Sequence, residues 1–139
     1  MKILMTAFEP FGDEKINSSL EVLKTVRAPE SAELVRLVVP VVFGRSISLV
    51  NDALEQECPD AVIMLGQAAG RQRISVERIA INIDDAGIPD NAGNQPVDRP
   101  IVNNGPAAYF ATVPVRRMTR AMNQAGAPAG ISNSAGPFV

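Results

Sequence analysis

The chain has 139 residues, 46% of them hydrophobic and 20% charged, and its 13 basic and 15 acidic side chains leave a formal net charge of −2. That length fits one domain with one core, and so balanced a charge offers no field for binding nucleic acid or acidic lipid. A single cysteine, Cys58, excludes an intrachain disulfide, and the absence of histidine excludes any self-contained Ser-His-Asp or Cys-His triad. The apolar start, Met1 to Phe8, reaches Glu9 too soon for a signal-peptide core. No other stretch approaches the ~20 apolar residues of a membrane span, so a cytoplasmic protein with no membrane partner is expected.

Lys2 to Phe8 reads as a buried strand running into the loop Glu9-Pro10-Phe11-Gly12. Ser18 stands three residues before Glu21, the capping-box spacing, and Leu20, Leu23 and Lys24 continue on a helical period. Glu33 to Val42, rich in Leu and Val and broken at Pro40, predicts a second strand. Ile47, Val50 and Leu54 then place an amphipathic helix between Arg45 and Glu57. Ala61 to Leu65 is a third strand, closed by Gly66-Gln67-Ala68-Ala69-Gly70. Strand and helix in alternation predict an α/β fold: a doubly wound, mostly parallel sheet with helices on both faces, in three layers.

From Ile74 to Ile83 the period becomes two, with Ile79, Ile81 and Ile83 on one side and Arg78, Ala80 and Asn82 on the other, as in a strand with one wetter face. The stretch from Asp84 to Gly105 is crowded with Asp, Asn, Gly and Pro and predicts a long loop of the kind that usually carries function or is disordered. Pro114 can open a helix whose Val115, Met118 and Met122 share a face and which Gly126 can end. Ala129 to Ser134 is the last expected strand. A doubly wound domain ending there leaves one flank of its sheet bare, so residues 1–139 are expected to be one α/β domain that is incomplete at its C-terminus.

Glu77 shares parity with the three isoleucines, so a strand running straight through aims its carboxylate into an apolar face, where it must be paired, hydrogen-bonded or protonated. A bulge, or a later strand start, leaves it in solvent instead. Phe8 and Phe11 lie at the carboxyl end of the first strand, where open α/β sheets bind ligands; they fit either a sandwich around a small flat ring or a plug beneath the loop. The Gly66 to Gly70 loop lacks both the Lys-Ser/Thr ending of a P-loop and the dinucleotide spacing, so no nucleotide cofactor is implied. Gln67 in that loop offers an amide suited to a lactam. Cys58, flanked by carboxylates, reads as structural, since such neighbours raise a thiol pKa. Asp84 and Asp85 fit solvated or capping carboxylates better than a cation site. Arg116, Arg117 and Arg120 read as the wet face of a helix.

Six motifs in order resemble pyroglutamyl peptidase I, a family of cytoplasmic cysteine peptidases. They are Phe8-Glu9-Pro10-Phe11-Gly12 with Asn17; Gly66-Gln67-Ala68-Ala69-Gly70-Arg71; Glu77 to Asn82; Ile88-Pro89-Asp90-Asn91 through Asn94-Gln95-Pro96; Gly105 to Tyr109; and Ser132 to Val139. The resemblance implies a cysteine-type exopeptidase that releases N-terminal pyroglutamate from peptides through an acyl-enzyme, without metal or cofactor, and that assembles as a homodimer or homotetramer. Glu77 is implied as the acid that orients the catalytic histidine. Phe8, Phe11, Asn17, Gln67, Phe138 and Val139 are implied in binding the pyrrolidone ring.

In the family the nucleophilic cysteine directly follows the position of Val139, and the histidine lies further on, so residues 1–139 alone are expected to be inactive. Gly87 stands where the family usually has an arginine thought to stabilise charge near the scissile carbonyl, a loss worth about 10²-fold or more unless another donor substitutes. Ala69 replaces a usual glycine, and Val76 a usual proline. A different class of reading remains beside this one: a non-catalytic homologue that binds pyroglutamyl peptides or a partner subunit.

Overall fold

A computed structural model describes residues 1–139, which sort into two units: Met1–Gln67 with Ile88–Gln95 and Val139, and Ala68–Gly87 with Pro96–Phe138. In the first unit β1 (Lys2–Phe8) lies between β2 (Glu33–Val39) and β3 (Ala61–Met64), with both pairings parallel. The register runs Lys2↔Glu33 to Phe8↔Val39 on one side and Ile3↔Ala61 to Thr6↔Met64 on the other. The central strand is the most enclosed; Leu4, Thr6 and Ala7 are buried, and with Leu23, Val39 and Val41 they form this unit's core. Each fully buried aliphatic side chain of this kind contributes roughly 1.5–3 kcal/mol.

The helices α1 (Ser18–Thr25) and α2 (Arg45–Glu57) make the crossovers from β1 to β2 and from β2 to β3. The two crossovers step in opposite directions across the sheet, so the right-handed rule for parallel connections puts the helices on opposite faces. This is the α/β winding expected from the alternation of elements. The start of α1 differs in one detail. Asn17, not Ser18, is the cap, with Oδ1 accepting from Ser19 N at 3.0 Å, while Glu21 reaches forward to Lys24 at 2.8 Å instead of back to form a capping box. At the other end of α2 Cys58 takes a left-handed conformation, φ 44°, with its thiol exposed.

The second unit holds two small sheets. β4 (Ile74–Glu77) pairs in parallel with β7 (Ala129–Ser132), and α3 (Val115–Gln124) packs against both. β5 (Ile79–Ile81) pairs antiparallel with β6 (Ala108–Phe110). The single strand expected from Ile74 to Ile83 is therefore two, and Arg78 is the joint: its N–H donates to Ser132 O at 2.8 Å while its carbonyl accepts from Ala111 N at 2.9 Å. The chain changes partners at one residue, and the parity of its inward positions shifts there, from Val76 in β4 to Ile79 and Ile81 in β5. Val115, Met118 and Met122 are half-buried, Arg116, Arg117 and Arg120 are exposed, and Gly126, at φ 83°, ends α3 as a left-handed residue. No helix is long and apolar enough to cross a membrane.

The segment from Asp84 to Gly105 contains no strand or helix, but it is pinned. Asp84 and Arg99 exchange backbone hydrogen bonds at 2.7 and 3.0 Å, and the Asn82 side chain clasps both the N–H and the carbonyl of Val102. Burial pushes the Asp84 carboxyl above its ordinary pKa, and the positive charge of Arg99 partly offsets this. Asp85 is exposed, and no group of three His, Cys, Asp or Glu side chains gathers to hold a metal.

Candidate active site

In the first unit the loop leaving β1 is held by buried polar groups. Glu9 N–H extends the β1–β2 pairing by donating to Val39 O at 3.1 Å. Glu9 Oε1 accepts from Val41 N at 3.2 Å and from Asn91 Nδ2 at 3.0 Å, and Asn91 Nδ2 also donates to Pro10 O at 3.0 Å. Asn17, only 1% exposed, donates from Nδ2 to Glu9 O at 3.1 Å and caps α1 with its oxygen. Both ends of its amide thus fix where the loop sits relative to the helix. Replacing Asn17 with alanine removes the cap and leaves buried groups unsatisfied, an expected loss of roughly 2 kcal/mol. Urea unfolding reads this as a lower midpoint at unchanged slope; a midpoint equal to that of the parent would show the network to be dispensable.

Phe8 and Phe11 flank this anchored loop and are both half-buried, so neither is a fully enclosed core plug. The N–H of Phe8 donates to Ser19 Oγ at 3.4 Å, and Ser19 Oγ donates to Asn17 Oδ1 at 2.7 Å. Gln67, after β3, accepts from Ser18 N at 2.7 Å through Oε1. Three of the expected ring-binding residues, Phe8, Asn17 and Gln67, therefore converge on the first turn of α1. Val139 belongs to this unit and is half-buried.

A tight turn in the same unit escaped the reading of the sequence. Asp90, 6% exposed, accepts from Phe43 N at 2.8 Å, Ala92 N at 2.9 Å, Asn94 N at 2.8 Å and Asn94 Nδ2 at 2.9 Å. Burial alone would push its carboxyl up. The Asn94 side chain and the amides of Phe43, Asn94 and Ala92 outweigh that and hold it down at about 2. Asn91, whose side chain reaches Glu9, leaves this turn with its N–H donating to Val41 O at 2.9 Å. An Asp three residues before a Gly, as in Asp90 to Gly93, is the signal that was available.

In the second unit Glu77 ends β4 opposite Ser132. Its side chain is 28% exposed; Oε1 accepts from Arg71 Nη1 at 2.9 Å, whereas Oε2 is buried and has no hydrogen-bond partner. Of the alternatives open for Glu77, the paired carboxylate is the one observed, and the strand break falls after it. An unsatisfied buried carboxylate oxygen is costly unless a donor reaches it, so the arrangement is fit to receive one N–H or O–H. Arg71 was visible only as part of a motif, with no role attached. Phe138 is half-buried in this unit. Gly87 is exposed and brings no side chain of its own.

Comparison with known proteins places these features in a family. The chain is 50% identical over 140 residues to the pyrrolidone-carboxylate peptidase of Treponema denticola, covering 100% of this chain and 64% of that protein. It is 54% identical to its counterpart in Vibrio vulnificus strain YJ016, of which it covers 66%. Among solved structures, pyroglutamyl peptidase I of Bacillus amyloliquefaciens superposes with a TM-score of 0.95 at 43% identity, over 99% of this chain and 68% of that one. A pyrrolidone carboxyl peptidase mutant from Pyrococcus furiosus gives 0.94 at 45%, over 99% and 67%. The chain thus spans about two thirds of the length of these relatives. The sequence profile of the pyroglutamyl peptidase family matches residues 1–139 from end to end, and the chain belongs to that family.

Proposed function

We propose that this protein releases N-terminal pyroglutamate from peptides by cysteine-type acyl transfer, with Glu77 as the acid that orients and stabilises the imidazole. The observation that carries the reading is the division of labour within one carboxylate: Oε1 is held by Arg71, and Oε2 is buried and aimed at no partner. A triad acid needs this arrangement, because one oxygen must be fixed for the other to accept the imidazole N–H in a defined direction. In the first unit, Phe8 and Phe11 supply aromatic faces for the pyrrolidone ring, Asn17 holds their loop, and Gln67 turns an amide toward the lactam. Val139, in the same unit, lines that ring as well. The lactam N–H and C=O need polar partners there, since burying them unpaired is costly.

The thiol and the imidazole come from outside residues 1–139, which contain no histidine and whose one cysteine, Cys58, sits exposed at the end of α2. The thiolate attacks the pyroglutamyl carbonyl, the amine leaves with a proton from the imidazolium, and water hydrolyses the acyl-enzyme. Such a protein works in the cytoplasm on small peptides as a homodimer or homotetramer. In the full-length protein, release of dye from a pyroglutamyl anilide is expected, abolished by thiol alkylation, while residues 1–139 alone release none. Absence of release from the full-length protein, or release indifferent to alkylation, refutes the proposal.

A further inference from the structure

We infer that Arg71 is a positioning residue for the proposed reaction: it clamps the Glu77 carboxylate to the turn that follows β7 and so sets the direction in which Oε2 accepts. The inference rests on Glu77 serving as the orienting acid. Arg71 follows a loop in which Gly70 takes φ +78°, a conformation costly for other residues, and this brings its guanidinium across the ends of β4 and β7. Nη1 donates to Glu77 Oε1 at 2.9 Å and Nη2 donates to the carbonyl of Ser134 at 3.3 Å.

The Ser134 carbonyl is itself fixed. It accepts from Ser132 Oγ at 3.1 Å, Ser134 N–H donates back to Ser132 Oγ at 3.3 Å, and Gly136 N–H donates to Ser134 Oγ at 3.2 Å. One residue on, Pro137 O accepts from Asp85 N at 3.0 Å. This braced turn leads directly to Phe138. A planar fork with two divergent donors can therefore tie the acid to the stretch of chain that runs toward the expected nucleophile, and the fork is what a lysine ammonium lacks. Stability is a weak alternative account of the pair, since the Arg71 and Glu77 side chains are 37% and 28% exposed and ion pairs of that exposure contribute little to folding.

The experiment is a double-mutant cycle on the full-length protein with a pyroglutamyl anilide, reading kcat and KM separately, with thermal unfolding alongside. Arg71→Met is expected to lower kcat by about 10²-fold with KM within about twofold, and Arg71→Lys, which keeps the charge but not the fork, by about 10-fold. The unfolding midpoint should move by no more than about 3 °C in either variant. In a Glu77→Gln background, Arg71→Met should cost less than about threefold more, because residues that act as a unit are not additive. An Arg71→Met kcat within about threefold of the parent, a loss that multiplies fully with that of Glu77→Gln, or a change confined to KM overturns the inference. Should Arg71→Met not fold, Arg71→Lys decides: full activity overturns it, and the smaller loss at an unchanged midpoint supports it. If Glu77→Gln itself keeps full activity, the triad reading fails and this inference with it; if Glu77→Gln is impaired and the Arg71 variants are not, only this inference fails.

Discussion

On the proposed mechanism, Glu77→Gln in enzyme that carries the thiol and the imidazole is expected to lower kcat on the order of 10³-fold, with KM and stability nearly unchanged. Glutamine has the same shape, so one end of its amide can still accept from Arg71 Nη1 as Glu77 Oε1 does. The other end then presents an NH₂ group where Oε2 is buried, placing a donor against the donor that the mechanism requires. Flipping the amide moves the conflict onto Arg71. Either rotamer removes the negative charge that the proposed mechanism uses to stabilise the imidazolium, and the unflipped one also removes the acceptor that would fix its tautomer. The Arg71–Glu77 pair is partly exposed, so the stability cost should stay below about 1 kcal/mol. Steady-state kinetics beside a melting curve separates the two effects, and an undiminished kcat removes Glu77 from the mechanism.

The largest expected loss of stability belongs to Asp90. Replacing it with alanine strips the acceptors from the amides of Phe43, Ala92 and Asn94 and from the Asn94 side chain inside a site only 6% exposed. Unsatisfied buried donors of this kind cost about 1–3 kcal/mol each where water cannot reach them, so a total near 3–4 kcal/mol is expected once solvent enters the opened turn. The effect carries a pH signature. Asp90 is held at about 2 in the folded chain against 3.8 for an unperturbed carboxyl, so the unfolded state takes up the proton first as pH falls. Its contribution is fully present above about pH 4 and is lost as pH drops through about 2, worth roughly 1–2 kcal/mol over that window after allowance for solvent screening. Chemical denaturation at pH 5, 3 and 2 should show the parent losing more stability than Asp90→Ala across this range. Parallel losses in the two proteins would mean that the Asp90 carboxylate is not the group responsible.

Much of this architecture is legible in local pattern. The apolar run of β1 and the stripe Val115-Met118-Met122 report which face turns inward, as the alternation of polar and apolar residues records, whereas in α2 Val50 and Leu54 are half-buried but Ile47 is exposed and Ser46 is the buried residue. The identity of a strand's partner is not recorded in this way. The apolar parity slips at Glu77-Arg78, from Ile74 and Val76 to Ile79, Ile81 and Ile83, which marks a break but not that Arg78 bonds one sheet through its N–H and another through its carbonyl. β6 escaped notice because it is only three residues long and exposes Tyr109 and Phe110. The Asp90 turn has a readable local signature, but its bond to Phe43 spans 47 positions, and the reach of Arg71 to Ser134 spans 63. Glu77 stood out because a charge shares parity with three isoleucines; Arg71 did not, because an arginine in a polar loop looks like any solvated cation until its two acceptors are in view. At α1 the adjacent Asn17 and Ser18 are both good caps, and the choice fell to Asn17, whose longer side chain also spans to the Glu9 carbonyl.

The threading of residues Ile88–Gln95 into the first unit bears on the order in which the protein can be made. During synthesis β1, β2 and β3 leave the ribosome together and can pair at once, yet the amide of Phe43 has no carboxylate to receive it, nor Glu9 its Asn91 donor, until the chain has grown past residue 91. β4 waits longer still, since its only ladder partner begins at Ala129. A nascent chain paused between those points carries a paired sheet with an unfinished rim and, in its second unit, a strand still without its ladder, the state in which unpaired edges most readily find the wrong neighbour.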